Sequence, residues 1–201
     1  MNPWRDQVRL EGRHITLRPL DAADADGIAE VSHDGHLSEL FYTRVPSPGD
    51  VQGWLETALA EKAAGRAMPY VVEMDGCVVG ATRYLRMNEA YLRLEIGATF
   101  YAKSVQRSAV NTECKLLLLG HAFEAMGCNV VQIRTDWFNR ASQRAIERLG
   151  AKRDGVLRSH QIAADGRLRD IVCYSIIAGE WAGVKRNLDF LLSRQREPAP
   201  Q

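Results

Sequence analysis

This chain of 201 residues has no excess of charge of one sign and no long hydrophobic run. Its 26 lysines and arginines nearly balance its 25 aspartates and glutamates, which gives a formal net charge of +1. That balance argues against a general nucleic-acid or membrane-surface binder, because such proteins need an excess of cations. The apolar runs are too short to span a bilayer. The first ten residues are polar and charged, so we expect no signal peptide and neither a membrane nor a nucleic-acid partner.

Cysteine is scarce, and its spacing excludes the usual cysteine sites. Cys77, Cys114, Cys128 and Cys173 form no CxxC pair and no Cys/His cluster with zinc spacing. We therefore expect no metal and four reduced thiols in a cytoplasmic protein. The content of 46% hydrophobic and 25% charged residues fits one globular domain. We expect that domain to span residues 1–194 and the polar, proline-rich residues 195–201 to be a disordered tail.

The hydrophobic pattern predicts strands and helices of a single mixed α/β domain. Asp75-Gly76 lies between two strand-like runs and predicts a type I′ hairpin turn. Three consecutive middle strands are joined by connections too short for parallel crossovers, which excludes a doubly wound nucleotide-binding fold. A further turn is expected at Ala164-Asp165-Gly166. The expected strands are 14–20, 69–74, 77–84, 91–101, 130–136, 155–162 and 168–177, and the expected helices are 21–32, 47–65, 109–126, 139–150 and one containing Trp181 and Leu191.

The junction between the predicted strand 91–101 and the long helix after it is a candidate anion site. A loop that leads into a helix presents unpaired backbone N–H groups and a partial positive charge, which suits a pyrophosphate. Lys103 and Arg107 add cationic charge at this point. The same residues are also compatible with an ordinary helix start whose basic side chains are solvated.

A second motif lies downstream, where Asn139-x-x-Ser142 opens a helix that ends at Leu149-Gly150. Together with Gln106 at the earlier helix start and Glu95-Ile96-Gly97 on the strand before it, this order resembles the GNAT superfamily of CoA-dependent N-acetyltransferases. Within it, the chain is similar to the branch of ribosomal-protein N-terminal acetyltransferases. The resemblance covers nearly the whole chain, from Ile15-Thr16-Leu17-Arg18-Pro19-Leu20 onward. It implies a mixed, mostly antiparallel sheet with splayed central strands flanked by helices, in a monomer or homodimer.

The resemblance also implies where acetyl-CoA, the cosubstrate, would bind. Its pyrophosphate would lie at the loop that begins with Gln106, and its pantetheine arm along the strand before that loop, whose backbone would serve the oxyanion. The family's loop has two glycines where this chain has Ala109 and Asn111, which leaves a non-catalytic acyl-CoA-binding module as an alternative. The residues implied for the cofactor are Ile96, Ala98, Thr99, Phe100, Gln106, Arg107, Ser108, Ala109, Val110, Asn111, Asn139 and Ser142.

Two residues are candidates for the general base that acetyl transfer to an amine requires. Glu95 lies on the cofactor strand and could relay the amine proton through water, or it could be a structural carboxylate paired with Arg93 or Arg83. His160 has an imidazole suited to proton transfer near neutrality, or it could be an ordinary surface histidine. In the related ribosomal-protein enzymes a carboxylate falls near here, but this chain has Gln161 at the aligned position, which cannot act as a base.

Two hydroxyls are candidates for stabilising the departing thiolate. Ser142 matches the family's Asn-x-x-Ser position, and Tyr174 lies on the last predicted strand; their ordinary alternatives are a helix-start hydroxyl and a half-buried aromatic. The expected function is transfer of an acetyl group to a primary amine, on a protein N-terminus or a small molecule, by direct attack in a ternary complex. Transfer of a longer acyl group such as succinyl is a further alternative. Aromatic residues that could line the acceptor cleft are Tyr42, Trp54, Tyr84, Trp137 and Phe138.

Overall fold

The computed structural model describes residues 2–163 and 165–194, and in them eight strands form one sheet. The sheet order is β1-β2-β3-β4-β5-β6-β8-β7. Every neighbouring pair is antiparallel except β5 and β6, which run parallel. The strands are β1 Leu10–Glu11, β2 Thr16–Pro19, β3 Met68–Met74, β4 Cys77–Asn88, β5 Arg93–Tyr101, β6 Val130–Asp136, β7 Lys152–Ile162 and β8 Leu168–Ile177.

Helices cover both faces of the sheet, and each set of helices has its own apolar core. The larger core joins one face to α3, α4 and α5. The smaller core joins the other face, at β3, β4 and the end of β5, to α1 and α2. The helices are α1 Ala25–His33, α2 Val51–Ala63, α3 Val110–Gly120, α4 Arg140–Leu149 and α5 Trp181–Arg194, and α3 continues into a π-helical turn, His121–Ala125.

Local sequence signals predicted several elements correctly. The β3–β4 hairpin turns at Asp75 and Gly76, whose φ angles of 51° and 79° are those a type I′ turn needs. Helix α4 ends at Gly150, which adopts the left-handed conformation with φ 103°. The expected tail 195–201 and Ala164 of the second predicted turn lie outside the described residues.

The structure corrects the boundaries of four strands. The predicted strand 14–20 is shorter, Thr16–Pro19, and pairs with the additional strand β1. β4 runs four residues beyond the predicted end at position 84. β5 begins at Arg93 because a 3₁₀ turn and the left-handed Leu92 precede it. β7 begins at Lys152, since it already pairs there with Ser175 of β8.

The two central strands separate after a short parallel pairing. β5 and β6 are paired over Arg93–Ile96 and Val130–Ile133. Beyond Ile96, β5 bulges at Ala98, which has φ 48°, and continues beside β4, while β6 continues beside β8. A bulge bends its strand and increases the local twist. The sheet therefore opens into a wedge between the two strands, next to the loop that leads into α3.

Candidate active site

The loop that leads into α3 is held by its own side chains. Gln106 Nε2 donates to the Tyr101 carbonyl at 3.1 Å, and Ser108 Oγ donates to the Val105 carbonyl at 2.6 Å. Between them Arg107 is exposed and adopts a left-handed φ of 64°. Val110 N–H donates to Ser108 Oγ at 3.3 Å. The loop therefore presents a cation and the start of a helix at the mouth of the wedge, an arrangement that suits an anion.

The first half of α3 is anchored by a buried carboxylate. Glu113 accepts backbone N–H bonds from Arg13 at 2.6 Å, His14 at 2.9 Å and Ile15 at 3.2 Å. A Cβ on Gly12 would lie 2.8 Å from the Glu113 carboxyl carbon, so this position needs glycine. These contacts fix α3 against the β1–β2 turn. The sequence analysis missed Glu113, because its partners lie about a hundred residues away.

A buried lysine ties α3 to the bulge of β5. Lys115 is 4% exposed, and its Nζ donates to Thr99 Oγ1 at 3.1 Å. The Thr99 hydroxyl also lies 2.8 Å from the Thr82 hydroxyl on β4 and 3.4 Å from the Gly97 carbonyl. Burial lowers the pKa of the Lys115 ammonium group. These contacts hold the strand on both sides of Ala98, and sequence reasoning missed Lys115 as well.

Several residues predicted to bind the cofactor have side chains in the cores. Ile96 and Val110 are buried in the larger core, and Phe100 is buried in the smaller one. These three residues could contact a ligand in the wedge only through their backbone. Ala98 has an exposed side chain, and Thr99 is half-buried.

Glu95 is buried and paired with two arginines. Its Oε2 lies 2.6 Å from Arg86 Nη1 and 3.2 Å from Arg134 Nε. The expected ion-pair partners, Arg93 and Arg83, are therefore wrong; Arg83 pairs with Glu61 at 3.3 Å instead. The neighbours of Glu95 on β5, Leu94 and Ile96, both belong to the core under α3–α5, so Glu95 lies on the opposite face of the sheet.

The start of α4 is capped as the sequence predicts. Asn139 Oδ1 accepts the Ser142 N–H at 3.0 Å, and Ser142 is half-buried in the first turn. Gln143 Nε2 donates to the Trp137 carbonyl at 2.6 Å. These bonds hold the first turn of α4 against the end of β6, on the far side of the wedge from α3.

The other candidate side chains lie apart from Glu95. The Tyr174 ring is fully buried on the α4 face, and its hydroxyl donates to Glu147 Oε1 at 2.9 Å. Burial and this carboxylate raise the pKa of Tyr174 to about 12. His160 is exposed on β7, where the pairing with β8 is irregular between Leu157 and Gln161. The structure thus places Tyr174 on the opposite face from Glu95, and His160 on an outer strand.

Three of the five aromatic residues expected to line the acceptor cleft pack in or against the cores: Tyr84 and Trp137 at the larger core and Trp54 at the smaller one. Tyr84 is fully buried and donates to the Leu118 carbonyl at 2.6 Å. Trp54 packs edge-on against Phe100, 5.7 Å between ring centroids. Phe138 is exposed after β6, 5.9 Å from the ring of Phe41.

Five arginines gather on the Glu95 face of the sheet, and we call them the arginine cluster: Arg44, Arg86, Arg134, Arg167 and Arg169. Their main acidic partner besides Glu95 is Asp136, whose carboxylate is fully buried at the end of β6. It accepts from Arg169 Nε at 2.7 Å, Arg167 Nη2 at 3.2 Å and Phe138 N–H at 2.8 Å. Burial alone would raise the pKa of Asp136, but these hydrogen bonds outweigh it and the pKa lies below its ordinary value.

Comparison with known proteins decides the family. A family model described as an acetyltransferase (GNAT) domain matches residues 14–152. The chain belongs to the GNAT family of acetyltransferases. It is 28% identical over 179 residues to YdaF of Bacillus subtilis, whose name provisionally assigns it as a ribosomal N-acetyltransferase; the match covers 86% of this chain and 96% of YdaF.

Solved structures agree with this GNAT assignment. A protein of T. thermophilus, provisionally assigned as an acetyltransferase, is 35% identical with a TM-score of 0.83, over 94% of this chain and 99% of that one. Mycobacterium smegmatis RimJ in complex with CoA-disulfide has the same fold, with a TM-score of 0.77 at 23% identity over 94% of this chain and 96% of RimJ. The predicted GNAT fold, the acyltransferase class and the likeness to the ribosomal-protein branch are confirmed.

Two further findings concern metal-binding groups and membrane-spanning helices in this GNAT protein. Across residues 2–163 and 165–194, no group of three or more His, Cys, Asp or Glu side chains could hold a metal ion. In the same ranges, none of the helices combines the length and apolar character that a bilayer crossing needs.

Proposed function

We propose that this GNAT protein transfers an acetyl group from acetyl-CoA to a primary amine by direct attack in a ternary complex. The observation that carries the proposal is the wedge beyond Ile96 and Ile133, which opens beside the start of α3. The loop beside the wedge offers an anion site at Arg107. The strand β5, which leads into the wedge, carries the buried carboxylate of Glu95. A donor and an acceptor could therefore meet at the β5 bulge.

The cofactor half of the site follows from the loop and the bulge. The pyrophosphate would bind at the loop of residues 106–111, through the exposed Arg107 side chain and through backbone N–H groups other than those of Gln106 and Val110. The N–H groups of Gln106 and Val110 already donate to the Lys103 carbonyl and to Ser108 Oγ. The pantetheine arm would follow residues 96–101. The left-handed Ala98 interrupts the pairing of β5, and a backbone N–H there would donate to the oxyanion of the tetrahedral intermediate. Asn139 and Ser142 would flank the thioester from the α4 side.

The chemical step needs a free amine and a stabilised leaving group. The amine lone pair attacks the thioester carbonyl carbon, the C–S bond breaks, and the sulfur leaves as a thiolate. Glu95 takes the amine proton through a water molecule, and Arg86 and Arg134 hold its carboxylate in place. The Ser142 hydroxyl donates a hydrogen bond to the departing thiolate. Tyr174 is the weaker candidate, because its hydroxyl already donates to Glu147.

Calorimetric titration with acetyl-CoA, followed by thiol-release assays on a panel of amines, tests this function. The panel contains peptides with free N-termini, as the similarity to YdaF suggests, and small primary amines. We expect tight binding and amine-dependent thiol release. Binding without turnover on any amine contradicts the proposal and favours a non-catalytic acyl-CoA-binding module, which Ala109 and Asn111 at the family's glycine positions leave open. A parallel series with succinyl-CoA tests the longer acyl group.

A further inference from the structure

The arginine cluster contains more positive charge than its carboxylates neutralise. Glu95 is shared by Arg86 and Arg134, and Asp136 is shared by Arg167 and Arg169. In the described part of the chain, Arg44 forms no ion pair. Five guanidinium groups thus face two carboxylates, each of which is already divided between two arginines.

Arg44 and Arg86 are the exposed members of the cluster, and Arg44 is the one without an acidic partner in the described residues. It lies in the segment between α1 and α2, its side chain is exposed, and its Nη2 donates to Gln161 Oε1 at 2.9 Å. The same Gln161 oxygen accepts from Arg169 Nη1 at 3.4 Å. Partial burial and the like charges of Arg169 and Arg86 lower the pKa of Arg44. This repulsion costs free energy, and a bound anion would relieve it.

Ring contacts and hydrogen bonds hold the inner side of the cluster. The Arg167 guanidinium lies over Phe41, 5.0 Å from the ring centroid, and over Phe138 at 5.6 Å. Arg169 is almost fully buried, and its Nη2 donates to the Tyr42 carbonyl at 3.4 Å. A charged site that is already ordered loses little entropy when it binds a ligand.

Other acids near the cluster are already engaged. Asp170 follows Arg169 on β8, so its side chain lies on the opposite face of the sheet, where it pairs with Arg158 at 2.6 Å and accepts the Ser159 N–H at 2.7 Å. Asp154 accepts the Ser175 hydroxyl at 2.7 Å. Neither carboxylate forms an ion pair with a member of the arginine cluster, so the excess of positive charge on this face remains.

We propose that the acceptor amine carries an oxyanion, a carboxylate or a phosphate, which the exposed Arg44 and Arg86 bind, with the charge of the buried Arg169 behind them. The inference rests on the proposed acetyl transfer, because the cluster adjoins Glu95, the proposed base. A guanidinium group has five N–H donors in a planar fork that matches a carboxylate or phosphate edge. Arg44 gives one donor to Gln161 and can offer an edge to a ligand. The anion anchors the acceptor, and its amine reaches the wedge beside Glu95.

Matched pairs of amines test the proposal during turnover. β-Alanine is compared with β-alaninamide, 2-aminoethyl phosphate with ethanolamine, and a peptide whose second residue is aspartate with its asparagine form. In at least one pair, we expect kcat/KM to be about tenfold or more higher for the anionic member, the scale of a charge-assisted hydrogen bond. The pair that shows this preference identifies whether the bound oxyanion is a carboxylate or a phosphate, and whether it comes from a small molecule or a peptide.

Variants connect the preference to Arg44. We expect Arg44→Gln to bring the anionic-to-neutral ratio close to one, and Arg44→Lys to keep part of it. Arg9→Gln is the matched control, because the Arg9 side chain is also exposed but adjoins β1 at the far edge of the sheet. Turnover with equal kcat/KM for both members of every pair overturns the anion site and leaves the acetyl transfer intact.

A binding measurement keeps the two proposals separable. We titrate two pairs of product analogues into the complex with CoA: N-acetyl-β-alanine with its amide, and N-acetyl-2-aminoethyl phosphate with N-acetylethanolamine. The dissociation constants of the wild type and of Arg44→Gln are then compared. Tighter binding of an anion that is lost in the variant supports the site even if no amine is turned over, an outcome that contradicts only the proposed function. Equal affinities of anion and neutral analogue in both pairs overturn the site.

Discussion

Replacing Asp136 with asparagine should destabilise this protein strongly. The change keeps the size of the side chain but removes the negative charge that Arg167 and Arg169 share. The Asp136 side chain is 0% exposed and that of Arg169 is 7% exposed, so the remaining charge cannot be well solvated. Leaving a buried charge without its partner costs about 3–5 kcal/mol. Because Arg167 is 24% exposed, we expect the lower end, about 3 kcal/mol.

Urea denaturation measures this effect. We expect a lower midpoint with an unchanged slope, and a melting temperature lower by about 6–12 °C for a chain of this size. Glu11→Gln is the control, since the Glu11 side chain is 74% exposed beside Arg9 and its loss should hardly change the midpoint. A loss below about 1 kcal/mol in Asp136→Asn would refute the reasoning.

The pH dependence gives a second check on Asp136. Its pKa is lowered in the folded state below the ordinary value of 3.8. Its contribution is therefore complete above pH 3.8 and disappears as the pH falls through the folded-state pKa. The stability difference between wild type and Asp136→Asn should stay constant from neutral pH down to about pH 5 and shrink in stronger acid. A stability difference between wild type and Asp136→Asn that shrinks between pH 8 and 6 would contradict the lowered pKa of Asp136.

Three further substitutions test the proposed site. Arg107→Glu should weaken acetyl-CoA binding at low salt by about 1–2 kcal/mol, and an unchanged dissociation constant argues against the pyrophosphate position. Glu95→Gln should lower kcat/KM by about 10²-fold, and full activity in this variant with a loss of that size in His160→Gln would transfer the role of base to His160. Ser142→Ala should lower kcat with little change in acetyl-CoA affinity. If Ser142→Ala keeps its activity and Tyr174→Phe is inactive, stabilisation of the departing thiolate is assigned to Tyr174 instead.

Local signals predicted much of the fold. The Asp75-Gly76 turn, the Asn139 cap and the Gly150 stop each depend on backbone conformations that neighbouring residues determine. The order of the predicted elements indicates the family only together with Gln106, Glu95-Ile96-Gly97 and the Asn139-x-x-Ser142 motif. The Asn139–Ser142 start of α4 was predictable for the same reason.

Contacts between distant strands could not be predicted in this way. Glu95 pairs with Arg86 because the register of β4 against β5 shifts after Leu85 and Arg86 adopts φ 49°. Its other partner, Arg134, comes from β6, the parallel neighbour. The alternation of side chains along a strand favours Arg83 or Arg93 as the ion-pair partner of Glu95. No sequence signal marks the irregular pairing after Leu85 that brings Arg86 there instead. The arginine cluster was missed for a similar reason, because Arg44 joins it from a segment without regular structure.

Product analysis after incubation with acetyl-CoA and an amine tests the central claim most directly. Free thiol is measured together with the acetylated amine, which is identified by mass spectrometry. The account predicts that thiol appears only when the amine is present, in an amount equal to the N-acetylated product. Acetyl-CoA that binds but gives no N-acetyl product, or thiol release at the same rate without any amine, would contradict it.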